Sequence, residues 1–263
     1  MAVKWAQKAG AQPATWKNRL ALVRGFARYR SATDPRTEVP PPRLLPFRAK
    51  RATPYLYTDD EVRLLLNACL RLSPNDALRK WTYHGLLGLL AVSGMRLSEV
   101  LSLRLGDVDL ANAVLTVRGT KFGKSRLVPI HDSTRRVLMR YRSRRDHYLK
   151  GCPASDFFFV TTRGTRLDKN NVRGTFHVLS RQIGLRGESN RHGPRLHDFR
   201  HRFAIRTLLR WYRSGQNVEQ RLPVLSTYLG HVRPDDTYWY LTACPELMGQ
   251  AVKRLERRWR TLQ

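Results

Sequence analysis

The sequence predicts a mainly α-helical fold with a small antiparallel β-sheet, an α+β arrangement. Three observations carry that expectation. Long stretches place apolar residues at helical spacing, two short β-branched runs flank a turn, and a proline-rich basic segment divides the chain near residue 40. With 263 residues and 41% hydrophobic side chains there is enough chain for one or two domains with proper cores.

Taken in order, a helix begins near Pro13, a residue favoured in a first helical turn. It runs through TWKNRLALVRGFARY, with Trp16, Leu20, Val23 and Ala27 on one face. The following EVPPPRLLPFRAKRATP cannot be a long helix, because each proline lacks an N–H donor and clashes with the turn before it. It reads as a linker. One and a half helices are too few for an independent core. Thr58, Asp59, Asp60 and Glu61 form a capping-box pattern, followed by Val62, Leu65, Leu66 and Cys69 at helical spacing. The nearly all-apolar WTYHGLLGLLAV predicts a buried helix that stops at Ser93 and Gly94. AVLTVRG and SRLVPI, separated by TKFGK, predict a β-hairpin. Residues 132–149 predict a basic helix, DFFFV a short buried strand, and 169–183, 197–213 and 218–229 three further helices. From Pro245 a last helix carries Leu247, Met248, Ala251, Val252, Leu255 and Trp259 on one stripe. The expected organisation is a partial helical domain over 1–38, a linker over 39–54, and a larger domain over 55–263 that ends in the helix 245–263.

The charge narrows the function classes. Lys and Arg number 49 against 20 Asp and Glu, a net +29, and arginine dominates the excess. Guanidinium groups hold phosphate through two parallel hydrogen bonds, so a polyanion, nucleic acid first among them, is the expected partner. The first 54 residues alone carry 12 basic residues against Asp34 and Glu38. Cys69, Cys152 and Cys244 are widely spaced and odd in number, which indicates neither a disulfide framework nor a zinc ribbon. No apolar stretch approaches the ~20 residues of a membrane span, and no signal peptide is evident. A cytoplasmic protein, nucleoid-associated and without a membrane partner, is expected.

Four segments carry chemistry-bearing residues. SGMRLSEV places Arg96 after the buried helix, and GTKFGKSRLVPI holds Lys121 and Lys124 at a hairpin tip. RLHDFRHRFAIRTLL puts His197 and Arg200 on one helix face, and in YLGHVRPDDTYWYL His231 precedes Tyr240 by nine residues. Cutting a phosphodiester without a metal needs a nucleophile, cations on the non-bridging oxygens and an acid for the leaving oxygen. Two arginines, a histidine, a lysine and a tyrosine supply that set. Singly, each has an ordinary explanation: a capping arginine, a solvated hairpin lysine, a core histidine, Arg200 paired with Asp198 or Glu219, an aromatic packed beside Tyr238 and Trp239. Their joint order overturns those explanations. His197 and His201 also echo a zinc-hydrolase H-E-x-x-H, but Asp198 stands where the glutamate base belongs and only His192 is nearby as a third ligand. No phosphate-binding G-x-x-x-x-G-K-[ST] is present, and no metal or cofactor is expected.

With these residues assembled, the chain resembles the tyrosine recombinase (phage integrase) family. The family pattern is an arginine in a G-[ML]-R-x-x-E context, a β-hairpin lysine, H-x-x-R, L-G-H, and a tyrosine about nine residues later. Here GMRLSEVLSL, TKFGKSRLVP, HDFR, LGH and TYWY follow in that order, over roughly residues 55–245. The resemblance implies a catalytic domain preceded by part of a four-helix core-binding domain. It implies Arg96 and Arg200 as phosphate clamps, His231 as a hydrogen-bond donor to the same phosphate and Lys121, rather than Lys124, as general acid toward a 5′-hydroxyl. It further implies His197 as a proton-transfer partner, Glu99 as support for Arg96, and Tyr240, not Tyr238, as the nucleophile of a 3′-phosphotyrosyl intermediate. Such chemistry conserves the ester's energy without ATP or metal. The implied partner is double-stranded DNA, bound by a homotetramer on synapsed sites, with partner recombinases as further company. The basic outer face Lys253, Arg254, Arg257 and Arg258 of the last helix is placed to meet a neighbouring protomer or DNA. Type IB topoisomerase activity, which uses the same residue set, and an N-terminally truncated DNA-binding remnant are the alternatives.

Overall fold

The computed structural model describes residues 2–7, 13–45, 54–73, 78–119, 123, 125–153, 155–187, 193–231, 233, 235–243 and 245–260. The chain divides into two units, Met1–Thr53 and Pro54–Gln263. In the first, α1 (Ala2–Gln7) precedes α2 (Pro13–Ser31). Leu20 and Ala27 are buried and Trp16 and Val23 half-buried, so the expected face is the inward one. The proline segment is tied back to α2, because Arg24 donates through Nε to the Pro40 carbonyl and through Nη2 to that of Pro41, both at 2.8 Å. These bonds satisfy carbonyls that no helix or sheet takes up.

The second unit is mainly helical around a three-stranded sheet. α3 (Asp59–Leu70) starts at the expected capping box: Thr58 Oγ1 accepts from Glu61 N at 3.1 Å, and Glu61 Oε2 accepts from Thr58 N at 2.7 Å. α4 (Leu78–Ser93) is the central helix, with Leu86, Leu87, Leu89 and Leu90 no more than 1% exposed. It packs against α3, α6 (Asp132–Tyr148) and α8 (Asp198–Arg213), which explains why its residues from Gly85 onward are almost all apolar. Each fully buried leucine of this kind contributes roughly 1.5–3 kcal/mol. Between α4 and α6 lie the short α5 (Leu97–Val100), a 3₁₀ turn over Leu105–Asp107, and strands β1 (Val108–Asp109), β2 (Val114–Val117) and β3 (Arg126–Pro129). The strands are antiparallel in the order β1-β2-β3, with Val114 opposite Pro129 and Val117 opposite Arg126. The hairpin was expected; β1 is an addition.

The expected strand in DFFFV is corrected. Phe158, Phe159 and Val160 are buried, but the segment joins others only through the isolated bridges Arg104–Phe157 and Val160–Arg166. Side chains take over the ladder's work at Val160: its N–H donates to Tyr141 Oη at 3.3 Å and its carbonyl accepts from Thr82 Oγ1 at 3.2 Å. An apolar run predicts burial, and burial without a neighbouring strand is satisfied this way.

The remaining helices are α7 (Lys169–Gln182), α9 (Val218–Leu229), α10 (Asp235–Ala243) and α11 (Pro245–Arg260). Two apolar clusters result. The larger gathers α3, α4, the sheet, α6 and α7. The smaller joins Ala204, Ile205 and Leu208 of α8 to Leu222, Leu225 and Leu229 of α9, Tyr240 of α10 and Leu247 of α11. Cys69 is buried and Cys152 exposed, whereas Cys244 lies outside the described residues. Among the described residues no helix is long and apolar enough to cross a membrane.

Candidate active site

The seam between the two apolar clusters collects the end of α4, the start of α8 and the end of α9. α4 stops at Gly94, whose φ of +62° is left-handed, and a Cβ there would lie 2.7 Å from Phe203 Cδ1. The chain then turns so that Arg96 caps α5 in an extended conformation. α9 ends at Gly230, again left-handed at φ +69°, in the C-terminal turn where helix carbonyls have no helical partner.

Three arginines take up those carbonyls. Arg126 Nε donates to Tyr228 O at 2.8 Å, Arg200 Nη2 to Leu229 O at 2.6 Å, and Arg96 Nη2 to Gly230 O at 3.0 Å. Three consecutive backbone oxygens thus hold three guanidinium groups that come from a strand, a helix start and a helix cap. Arg200 also donates through Nη1 to Gly94 O at 2.9 Å. These bonds use two of its five N–H groups.

Glu99 stands behind this cluster at 8% exposure. Its Oε1 accepts from Arg96 Nη1 at 2.8 Å and Arg126 Nη1 at 3.1 Å, and its Oε2 from the Arg96 backbone N–H at 2.9 Å and Arg126 Nη2 at 2.8 Å. Burial alone would raise the Glu99 carboxyl. The hydrogen bonds and charges of Arg126 and Arg96 outweigh it, leaving the group below the ordinary carboxylate range. Arg200, 2% exposed, is pushed down to about 10, first by burial and then by the Arg96 charge. It stays cationic at neutral pH. His197, one residue before α8, is lowered by burial and next by Arg200.

Tyr240 is the side chain these elements enclose, at 2% exposure. Its ring stacks on His231 with centroids 6.1 Å apart and planes at 22°, and meets His201 at 5.5 Å and Trp239 at 5.4 Å. His231 Nδ1 is 2.7 Å from Thr237 Oγ1, a bond that ties the α9–α10 connection to α10. His197 reaches the same group through His201, the rings meeting edge to face at 4.8 Å. Tyr238 is 49% exposed, so it lies away from this enclosure.

The structure therefore brings Arg96, Glu99, His197, Arg200, His231 and Tyr240 together, while Lys121 and Lys124 lie outside the described residues. The ordinary explanations for Arg200 are not the observed ones: Asp198 pairs with Arg195 at 3.0 Å, and Arg200 bonds backbone oxygens. Sequence reasoning missed Arg126, and weighed His201 only as a zinc ligand rather than as a neighbour of Tyr240. Arg126 had a weak signal as the first residue of a strand beside a hairpin tip; its partner Glu99 stands 27 positions earlier, beyond any local pattern. Among the described residues no group of three or more metal-ligating side chains converges. A cavity of about 400 Å³ lined by Arg79, Tyr83, Asp168 and Thr175 lies toward the opposite end of α4 and includes none of these residues.

Comparison with known proteins identifies the family. The pattern of the phage integrase family matches residues 56–246. The y4rB protein of Sinorhizobium fredii, provisionally named an integrase/recombinase, is 56% identical over 98% of this chain and 84% of its own length. The tyrosine recombinase XerD of Caulobacter vibrioides is 30% identical over 93% of this chain and 75% of its own. Among solved structures, a XerH site-specific recombinase in a post-cleavage complex with palindromic difH substrate superposes with a TM-score of 0.69. It shares 19% identity over 97% of this chain and 72% of that one. The Tn1549 transposon integrase bound to transposon right-end DNA gives a TM-score of 0.67 at 18% identity, over 97% and 84%. These last two establish a shared fold, and the sequence matches establish more: the chain belongs to the phage integrase family of tyrosine recombinases.

Proposed function

We propose that the chain is a site-specific DNA recombinase or integrase that cleaves and rejoins double-stranded DNA through Tyr240. Arg96, Arg200 and His231 hold the non-bridging oxygens of the scissile phosphate. The Tyr240 oxygen attacks phosphorus as its proton passes to His197, which the lowered pKa keeps mostly neutral and able to accept it. The bond from phosphorus to the 5′-oxygen breaks, and Lys121 protonates that oxygen. The product is a 3′-phosphotyrosyl ester. A 5′-hydroxyl of the partner strand then attacks the ester, the bond to Tyr240 breaks, and the proton returns to the phenol. The ester keeps the energy of the phosphodiester, so the exchange needs neither ATP nor metal.

The observation that carries this reading is the set of three successive carbonyls at the C-terminal end and cap of α9 holding the arginines beside the stacked pair His231 and Tyr240. Positioned cations are what phosphoryl transfer demands most. The +29 charge suits a DNA partner, and the similar Tn1549 integrase is named as in complex with transposon right end DNA, the XerH recombinase as bound to difH substrate. Exchange between two sites calls for four copies on synapsed DNA. Because Tyr240 is 2% exposed, it is uncovered before attack.

A nicked suicide duplex from the ends of the chain's own element tests the proposal. Wild type yields a protease-sensitive covalent adduct on denaturing gels; Tyr240→Phe yields none while binding DNA as before. An adduct that persists in Tyr240→Phe removes Tyr240 from the role, and absence of adduct with wild type removes the reaction.

A further inference from the structure

We infer that Arg126 is a positioning residue for strand cleavage: it neutralises Glu99 so that the Arg96 charge remains available to the scissile phosphate. The inference rests on the recombinase reading above. A carboxylate 2.8 Å from a guanidinium cancels much of its field, and Glu99 stands at that distance from Arg96. Left as a pair, Arg96 and Glu99 would offer a phosphate a dipole rather than a cation.

Arg126 changes that balance. It binds both Glu99 oxygens in the forked manner of a guanidinium facing a carboxylate, at 3.1 and 2.8 Å, while its Nε bonds Tyr228 O at 2.8 Å. With its side chain 9% exposed, solvent screens the interaction little. Glu99 then accepts four hydrogen bonds, which match its four lone-pair positions. Counting Arg96, Arg126, Arg200 and Glu99, the cluster carries two net positive charges instead of one. The space for Arg126 is reserved by Gly230, where a Cβ would come within 2.8 Å of Arg126 Nη1.

The arrangement separates two duties. Glu99 orients Arg96 by holding its backbone N–H and its guanidinium together, and Arg126 removes the electrostatic penalty of having a carboxylate do so. A lysine could not take both oxygens and the Tyr228 carbonyl in one plane, but it would keep the charge.

The test measures single-turnover cleavage, at saturating protein and below each variant's melting temperature, on two nicked duplexes. One has a normal scissile phosphate; the other has a methylphosphonate, which lacks one negative charge. Arg126→Gln is expected to lose on the order of 100-fold on the phosphodiester and to recover most of that deficit on the methylphosphonate, where the cationic field matters less. Arg126→Lys is expected to keep most of the phosphodiester rate. The double variant Glu99→Gln, Arg126→Gln, which removes both charges, is expected to cleave the phosphodiester about tenfold faster than Arg126→Gln. If Arg126→Gln does not fold, the double variant decides: a rate within about tenfold of wild type supports the inference, and a loss on the order of 100-fold overturns it. Equal deficits on the two substrates would show that Arg126 merely supports the fold, and would also overturn it. Wild type that forms no adduct on the phosphodiester defeats the recombinase reading itself, and this inference with it.

Discussion

Gly94→Ala should damage both stability and cleavage, and the structure sets the size of the effect. A residue with a Cβ held at φ +62° pays roughly 1–2 kcal/mol. The new methyl would also meet Phe203 at 2.7, 3.0 and 3.1 Å from Cδ1, Cγ and Cβ. Those atoms lie near the root of the side chain, so the ring cannot simply swing clear; overpacking of this kind costs about 1–3 kcal/mol. Together the two costs come to about 2–5 kcal/mol, and at ~2–4 °C per kcal/mol for a unit of this size the melting temperature should fall by on the order of 5–15 °C. The damage reaches the site by two routes. Gly94 O holds Arg200 at 2.9 Å, and Phe203 stacks on Tyr228 at 5.3 Å, whose carbonyl holds Arg126. Misplacement of about 1 Å can cost ~100-fold in rate, so adduct formation below the variant's melting temperature should drop by roughly that factor. Thermal melts followed by circular dichroism, together with the suicide-substrate assay, check both. Gly106→Ala is the control, since a Cβ there meets nothing within 4 Å. A melting temperature within about 2 °C of wild type, or an unchanged cleavage rate, would refute the reasoning.

Two further outcomes concern the scaffold. Thr58→Ala removes half of the α3 capping box and should cost about 1 kcal/mol, lowering the melting temperature by ~2–4 °C without changing cleavage; a matching loss of activity would tie α3 to the site unexpectedly. His84, His177 and His197 are all held below the usual 6.5, chiefly by burial. The unfolded chain therefore takes up protons first as pH falls, so stability holds above pH 6.5 and declines below it, with the loss of Glu99 pairing adding to it below 4.5. Melts at about pH 7.5 and 5.5 that coincide would contradict those shifts.

What the sequence disclosed depended on whether a feature was local. The Thr58 and Glu61 box, the helix over 218–229 and the hairpin each rest on a few neighbouring residues, and each appears in the structure. DFFFV misled because four apolar residues in a row announce burial without saying what they pair with. The resemblance favours Tyr240 over Tyr238 by spacing; the structure buries the first and exposes the second, a difference that spacing alone does not announce. The arginine anchors were not legible at all. Their acceptors are main-chain carbonyls, which every residue possesses, so nothing in the identity of Tyr228 or Leu229 marks them as partners of Arg126 and Arg200.

That same anonymity decides which changes in α9 the molecule tolerates. Since the guanidiniums are held by the helix backbone, the side chains at 228 and 229 are restrained by packing, Tyr228 on Phe203 and Leu229 in the smaller cluster, and not by the arginines, whereas Gly230 is fixed by its left-handed turn and the nearness of Arg126. Register is another matter. Deleting one residue from α9 would rotate everything after it by about 100° and draw it back by ~1.5 Å. All three oxygens would turn away from their arginines in a single step, and His231 with them. For the arginines, then, the length of the segment matters more than the identity of its side chains.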